Sequence, residues 1–279
     1  LAMDEGQLIR LMDQYAHLLR AYPYANTVTL PEGSARDWVA YCENMGLITR
    51  QPQKLGDIIA LEGANAILMT YYRNNIQHLF ALPALIVSLF ENKTSLRRDK
   101  VLFLTSVAYP YLQSELFLKF GQDEVESVIN KWIDVLIDQG LVIQLDDERL
   151  GRPEEGTEAM LRARILSRFI IQTLERYHIT LGILRKYGSG KLTAAELEEQ
   201  STLLAERMSI LFGLNAPEFF DKTLFRNFIA NMQKTGVLTT DDNGLLCYGE
   251  GLDEVAEDAR LVLSVEKRQA IQQVTMLDA

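Results

Sequence analysis

With 279 residues, 48% hydrophobic and 24% charged, the chain is long enough for roughly two or three small domains and too apolar to be disordered. Its formal net charge of −10, from 28 Lys and Arg against 38 Asp and Glu, opposes binding to nucleic-acid backbones and anionic headgroups. Cys42 and Cys247 lie far apart without CxxC or Cys/His ligand spacing, which argues against a disulfide scaffold or a structural zinc site and suits reduced thiols.

The first residue is Leu1 and a helical pattern begins almost at once, so the chain reads as starting inside a longer polypeptide. Residues 3–20 place Leu8, Leu11, Tyr15, Leu18 and Leu19 on one helical stripe. After the polar loop Tyr22 to Gly33, Ser34 is the expected N-cap of a helix over 35–42, with Asp37 favourable at its positive end. Gly46 is its expected C′ residue, Leu47-Ile48-Thr49 a strand, and Ile58 to Leu61 the returning strand. A long helix over 66–91 follows. Its most apolar run, Leu79 to Phe90, has 12 residues where a bilayer crossing needs about 20, so it reads as a buried helix rather than a transmembrane span. A further reading has this run touching lipid as an interfacial helix.

Helices are expected over 96–118 and 123–139, then Gly140, the strand Leu141-Val142-Ile143, a turn at Asp146-Asp147, and Leu150. Beyond the loop Arg149 to Thr157 the pattern resumes with helices over 158–187, 193–212 and 217–235. Gly236, Val237-Leu238-Thr239, the turn Asp242-Asn243-Gly244 and Leu245-Leu246 complete it. A closing helix over 253–277 carries Asp253, Glu254, Glu257 and Asp258 early and Lys267 and Arg268 late, an order that suits the helix dipole.

Three segments thus share one plan, an amphipathic helix bearing an aromatic (Trp38, Trp132, Phe228), a glycine, and a short hairpin. The last two stay in register at one offset: Leu85 falls on Leu181, Leu96 on Leu192, Leu118 on Leu214, Ile133 on Ile229 and Asp146 on Asp242. The fold expected is mostly α with small β-hairpins, built of repeated winged-helix-like units packed with long helices. Its divisions fall at 1–61, 62–152, 153–250 and 251–279, the third unit a duplicate of the second. A winged helix suggests DNA, but the helix before each hairpin carries net charge −1 (residues 35–45), −4 (123–139) and +1 (218–234), so no nucleic-acid partner is expected.

The run Tyr71, Tyr72, Arg73, Asn74 and Asn75, with His78 beyond it, puts a cation, amides and phenols on successive positions of an otherwise apolar helix. At 100° per residue these cover all sides, so they form either an internal polar network or a docking contact. No HxxxH, HExxH or glycine-rich phosphate loop occurs, and no Ser/His/Asp set can be assembled from sequence. His178, in an apolar helix, reads as a hydrogen-bonded core histidine. No catalytic residue, cofactor or metal ligand is expected in this chain.

The block Leu68 to His78 resembles the C-terminal region of bacterial glycerol-3-phosphate acyltransferases. So do Ser114-Glu115-Leu116-Phe117-Leu118 and Gly213 to Lys222. The resemblance implies a parent enzyme that moves a fatty acyl group from acyl-CoA or acyl carrier protein to the 1-hydroxyl of glycerol 3-phosphate. The family's catalytic signature is a His followed after four residues by an Asp; beyond His17, His78 and His178 the corresponding residues are Tyr22, Pro83 and Ile183. Leu30 to Arg36 has only a superficial likeness to the family's glycine-rich block. The resemblance therefore implies a non-catalytic C-terminal accessory region whose partners are the missing N-terminal catalytic domain and a membrane surface. Its address would be the cytoplasmic face of the bacterial inner membrane, as a soluble piece. The alternative is an independent winged-helix-like adaptor that binds proteins.

Overall fold

A computed structural model describes residues 2–212 and 217–276. The chain divides into two compact units, Leu1–Leu79 and Phe80–Ala279, and is mostly helical with small antiparallel sheets.

The first unit runs β1 (Ala2–Asp4), α1 (Glu5–Ala21), α2 (Ala35–Asn44), β2 (Thr49–Gln51), β3 (Ile58–Ala60) and the first half of α3 (Gly63–Ser88). The sheet order is β1-β3-β2, with Met3 opposite Ile59 and Arg50 opposite Ile59 on the other side. Strand β1 was not expected from the sequence, since three residues are too few to show alternation; the helix read over 3–20 accordingly starts at Glu5. Ser34 and Asp37 form a reciprocal capping box on α2, and the Ser34 hydroxyl holds the Asp37 carboxyl below its ordinary range. Leu47 and Ile48 lie in the turn after Gly46 (φ +68), and the strand expected there begins only at Thr49. Leu11, Leu18, Val39 and Ile59 are buried together as the core. At its edge the Arg50 guanidinium meets Glu5 at 3.1 Å, Glu43 at 3.0 Å and Asp57 at 2.9 Å, which raises its pKa and fastens α1, α2 and the hairpin to one another.

Helix α3 continues through Pro83, which lacks the N–H that would bond the Leu79 carbonyl. That missing rung falls where the chain passes from the first unit to the second. From Phe80 to Phe90 every residue is buried and Leu79 before them is half-buried, so the run forms a buried helical segment rather than an exposed apolar face.

The second unit then runs β4 (Ser95–Arg97), α4 (Arg98–Leu116), α5 (Gln122–Asp138), β5 (Ile143–Gln144), β6 (Arg149–Gly151), α6 (Glu158–Tyr187) and α7 (Ala194–Phe212). A short 3-10 helix at Pro217–Phe220 leads to α8 (Lys222–Lys234), β7 (Thr239–Thr240), β8 (Leu246–Cys247), α9 (Glu250–Val262) and α10 (Val265–Met276). Three expectations are corrected here. Residues 95–97 form a strand rather than the start of a helix, because they pair with β6. The helix expected over 217–235 is divided at Asp221, whose side chain caps α8 by accepting from the Thr223 N–H at 2.8 Å. The closing helix is two helices: Leu263 is extended and fully buried, Ser264 caps α10, and the Asn92 amide takes the freed carbonyls of Leu261 at 3.0 Å and Leu263 at 2.5 Å. The acids expected early in that helix at 253, 254 and 258 have undescribed side chains, and Gly213 to Ala216, with the Leu118–Leu214 match, lie outside the described residues.

The hairpins of this unit repeat at one offset. Leu96 pairs with Leu150 and Gln144 with Leu150; 96 positions on (Leu96 to Leu192), the Leu246 N–H donates to the Leu192 carbonyl at 2.7 Å and Thr240 pairs with Leu246. The α5 terminus closes by Gly140 N–H to Ile137 O (2.9 Å) and Val142 N–H to Leu136 O (3.2 Å), and α8 by Gly236 to Gln233 (3.1 Å) and Leu238 to Met232 (3.1 Å). Trp132 and Phe228, at the same offset, are both buried. Gly140 (φ +66) and Gly236 (φ +79) each hold a left-handed turn with open space where a Cβ would stand, so an alanine there meets backbone strain alone. Gly140→Ala and Gly236→Ala are each expected to cost about 1–2 kcal/mol in urea unfolding; a neutral result at either would contradict the strain.

Candidate functional site: an exposed apolar helix face

Residues 63–79, the first half of α3, contain no Asp, Glu or Lys and a single Arg. Such a helix should be buried on most sides, since apolar groups are driven from water. Instead Ile67 is 76% exposed, Tyr71 63%, Tyr72 51% and Ile76 44%. Ile67 and Tyr71 are one turn apart, as are Leu68, Tyr72 and Ile76, so the side chains form two adjacent rows on one side. The Tyr71 and Tyr72 rings meet edge to face with centroids 6.0 Å apart.

Of the residues singled out from sequence, Tyr71, Tyr72, Arg73, Asn74 and Asn75 are all on the surface. The Arg73 guanidinium donates to the Asn74 side-chain oxygen at 3.0 Å. His78 is half-buried, its ring edge-on to Tyr24 at 4.9 Å within the same unit, so it is set apart from the exposed run. Asn65 anchors the start of the helix by donating to the Gly46 carbonyl at 2.7 Å.

The second unit holds a polar cluster that sequence reasoning missed. The Glu115 carboxylate, on α4, accepts from Arg176, from the Thr173 hydroxyl at 2.9 Å and from the Tyr177 hydroxyl at 3.0 Å, all three on α6. Arg176 also donates to Thr173 Oγ1 at 2.9 Å. The ion-paired side chains are only 5% and 7% exposed. Burial, then the Glu115 charge, push the Tyr177 phenol up, so it stays protonated and donates. Glu115 stood in one of the quoted blocks, but nothing local revealed a partner 61 residues away.

The histidines are dispersed. His17 is exposed on α1, and His178 departs from the expected hydrogen-bonded core histidine because its Nδ1 is buried with no hydrogen-bond partner. Burial first, then the charges of Arg268, Arg260 and Arg185, depress its pKa to about 4. Among the described residues no cluster of His, Cys, Asp or Glu is placed to hold a metal ion, and no helix is long and apolar enough to cross a membrane.

Comparison with known proteins assigns this arrangement a lineage. Residues 1–241 match the family described as the glycerol-3-phosphate acyltransferase C-terminal region. The chain is 43% identical over 277 residues to a glycerol-3-phosphate acyltransferase of Pseudomonas fluorescens strain Pf-5, and 44% identical over 276 residues to those of Pseudomonas paraeruginosa PA7 and Pseudomonas aeruginosa UCBPP-PA14. Each match covers 99% of this chain and 33% of the relative, so the chain spans about a third of the length of these curated relatives.

Proposed function

Because the chain belongs to the glycerol-3-phosphate acyltransferase C-terminal region family, we propose that it is the non-catalytic accessory end of a longer acyltransferase and docks the remainder of that polypeptide through the exposed face of α3. The whole enzyme would transfer an acyl group from acyl-CoA or acyl carrier protein to the 1-hydroxyl of glycerol 3-phosphate at the cytoplasmic face of the inner membrane. The observation that carries the docking is the exposed apolar face without Asp, Glu or Lys. Solvated helix faces are rich in those residues, whereas interface cores are depleted in them and enriched in Tyr and Arg. A net charge of −10 favours a protein occupant over an anionic lipid surface. The two-thirds of the relatives' length that this chain lacks supply an obvious occupant.

We read the three helix–glycine–hairpin segments as winged-helix-like modules, and residues 62–152 and 153–250 as copies of one ancestor, used for packing rather than for nucleic acid.

The test is reconstitution in trans. Adding this chain to an acyltransferase truncated before it is expected to restore acylation of glycerol 3-phosphate, while the chain alone turns over nothing. Tyr71→Asp with Tyr72→Asp should weaken that restoration by about tenfold or more, as loss of interface anchors does, with the thermal midpoint unchanged because both rings are exposed. Turnover by the isolated chain, or full restoration by the double variant, would overturn the reading.

A further inference from the structure

Inside the second unit α4, α6, α8, α9 and the second half of α3 surround an apolar cavity of about 70 Å³. Leu85, Leu104, Leu174 and Leu181 are buried in its walls, and Tyr111, Tyr177 and Phe228 close one side. Tyr177 stacks on Phe228 at 4.1 Å and 8°, with Tyr111 edge-on to Phe228 at 5.3 Å. Both phenol hydroxyls are already bonded, that of Tyr177 to Glu115 and that of Tyr111 to Thr235 Oγ1 at 3.3 Å. The half-buried members of the lining are Val107 and Ala108 on α4 and Val255 and Ala259 on α9, so the cavity opens between those two helices past small side chains.

We infer that this cavity is a binding site for the end of an unbranched hydrocarbon chain, such as that of a fatty acid, with the polar head left outside between α4 and α9. Interiors are close-packed, and a dry apolar void forfeits the dispersion contacts that a guest of the right shape restores. Water is a poor guest, because it needs hydrogen-bond partners and the two hydroxyls at hand are engaged. Size selects among apolar guests. The volume is about half the ~150 Å³ that takes a benzene ring, so a chain terminus fits where a ring does not. The inference is independent of the docking reading above, and failure of the reconstitution assay would leave it standing.

The experiment is calorimetric titration of this chain with straight-chain carboxylates from propanoate to dodecanoate, below their micelle concentrations, with cyclohexanecarboxylate as the ring control. Saturable binding is expected, tightening about fourfold per methylene until the cavity is full and then levelling. Binding should carry a negative heat-capacity change. Cyclohexanecarboxylate should bind no better than hexanoate. Ala108→Phe, filling the mouth, should weaken dodecanoate by about tenfold without lowering the thermal midpoint, and Ala259→Phe should do the same from the opposite helix. Absence of saturable binding, affinity that ignores chain length, a ring bound as tightly as dodecanoate, or wild-type affinity in both phenylalanine variants would each overturn the assignment.

Discussion

Glu115→Ala is expected to destabilise the second unit by about 3–5 kcal/mol, because it leaves the Arg176 guanidinium buried without its counter-charge. The same change strips Thr173 and Tyr177 of the acceptor they share. Location decides the size of the effect: the pair Arg97–Asp99 is 59% and 66% exposed and screened by water, so its removal matters little. The Glu115 cluster joins α4 to α6, and α6 is the helix on which α7, α9 and α10 pack. Glu115→Met combined with Arg176→Met removes both charges, and should recover most of the loss, since desolvation of the pair offsets much of its attraction. Urea midpoints of Glu115→Met, Arg176→Met and the double variant measure the coupling. A cost below about 1 kcal/mol for Glu115→Ala would show that the carboxylate is not compensating a buried charge.

The second large effect is set by pH at His178. Its folded-state pKa of about 4 lies below the ordinary 6.5, so the unfolded chain takes up a proton that the folded chain refuses. The associated stability is complete above the unfolded value and is lost as the pH falls from 6.5 through about 4, reaching on the order of 3 kcal/mol. Burial sustains the shift first, and then three guanidinium groups, those of Arg268 on α10, Arg260 on α9 and Arg185 on α6, while Glu175 one turn away is engaged by Lys267 at 2.8 Å. Acid should therefore loosen α9 and α10 from α6. Carboxylates titrate in the same range, so the reading is the difference between wild type and His178→Leu, whose unfolding midpoints are compared at about pH 7.5 and about pH 4.5. Parallel losses in the two proteins would remove His178 as the cause.

Much of this architecture could be read from periodicity and punctuation, and the exceptions have physical causes. Helices such as α5 and α8 declare themselves through one apolar stripe, and Gly140 and Gly236 mark their ends because only glycine accepts those φ values without strain. Strands β1 and β4 went unread because three residues carry no alternation, and their pairing partners lie more than fifty residues away. The break at Leu263-Ser264 depends on Asn92, distant in sequence, satisfying the open carbonyls of α9. At the candidate site the identity of Tyr71 to Asn75 as an anomaly was legible, and its placement was not. An apolar helix with a single charge looks the same in sequence whether its partner belongs to this chain or to another. The three blocks that led to the family stood in plain view, but the role of Glu115 within one of them required its α6 partners to be located in space.

The hairpin registers repeat at a spacing of 96, so a strand offered to Leu96 or to Leu192 meets the same backbone pattern. A hairpin exchange that put residues 237–248 in place of 141–152 would keep that pattern at its centre, since Leu246 would meet Leu96 as it now meets Leu192. Such an exchange leaves α6 in place, whereas deleting residues 141–236 would remove that helix together with the buried partners of Glu115.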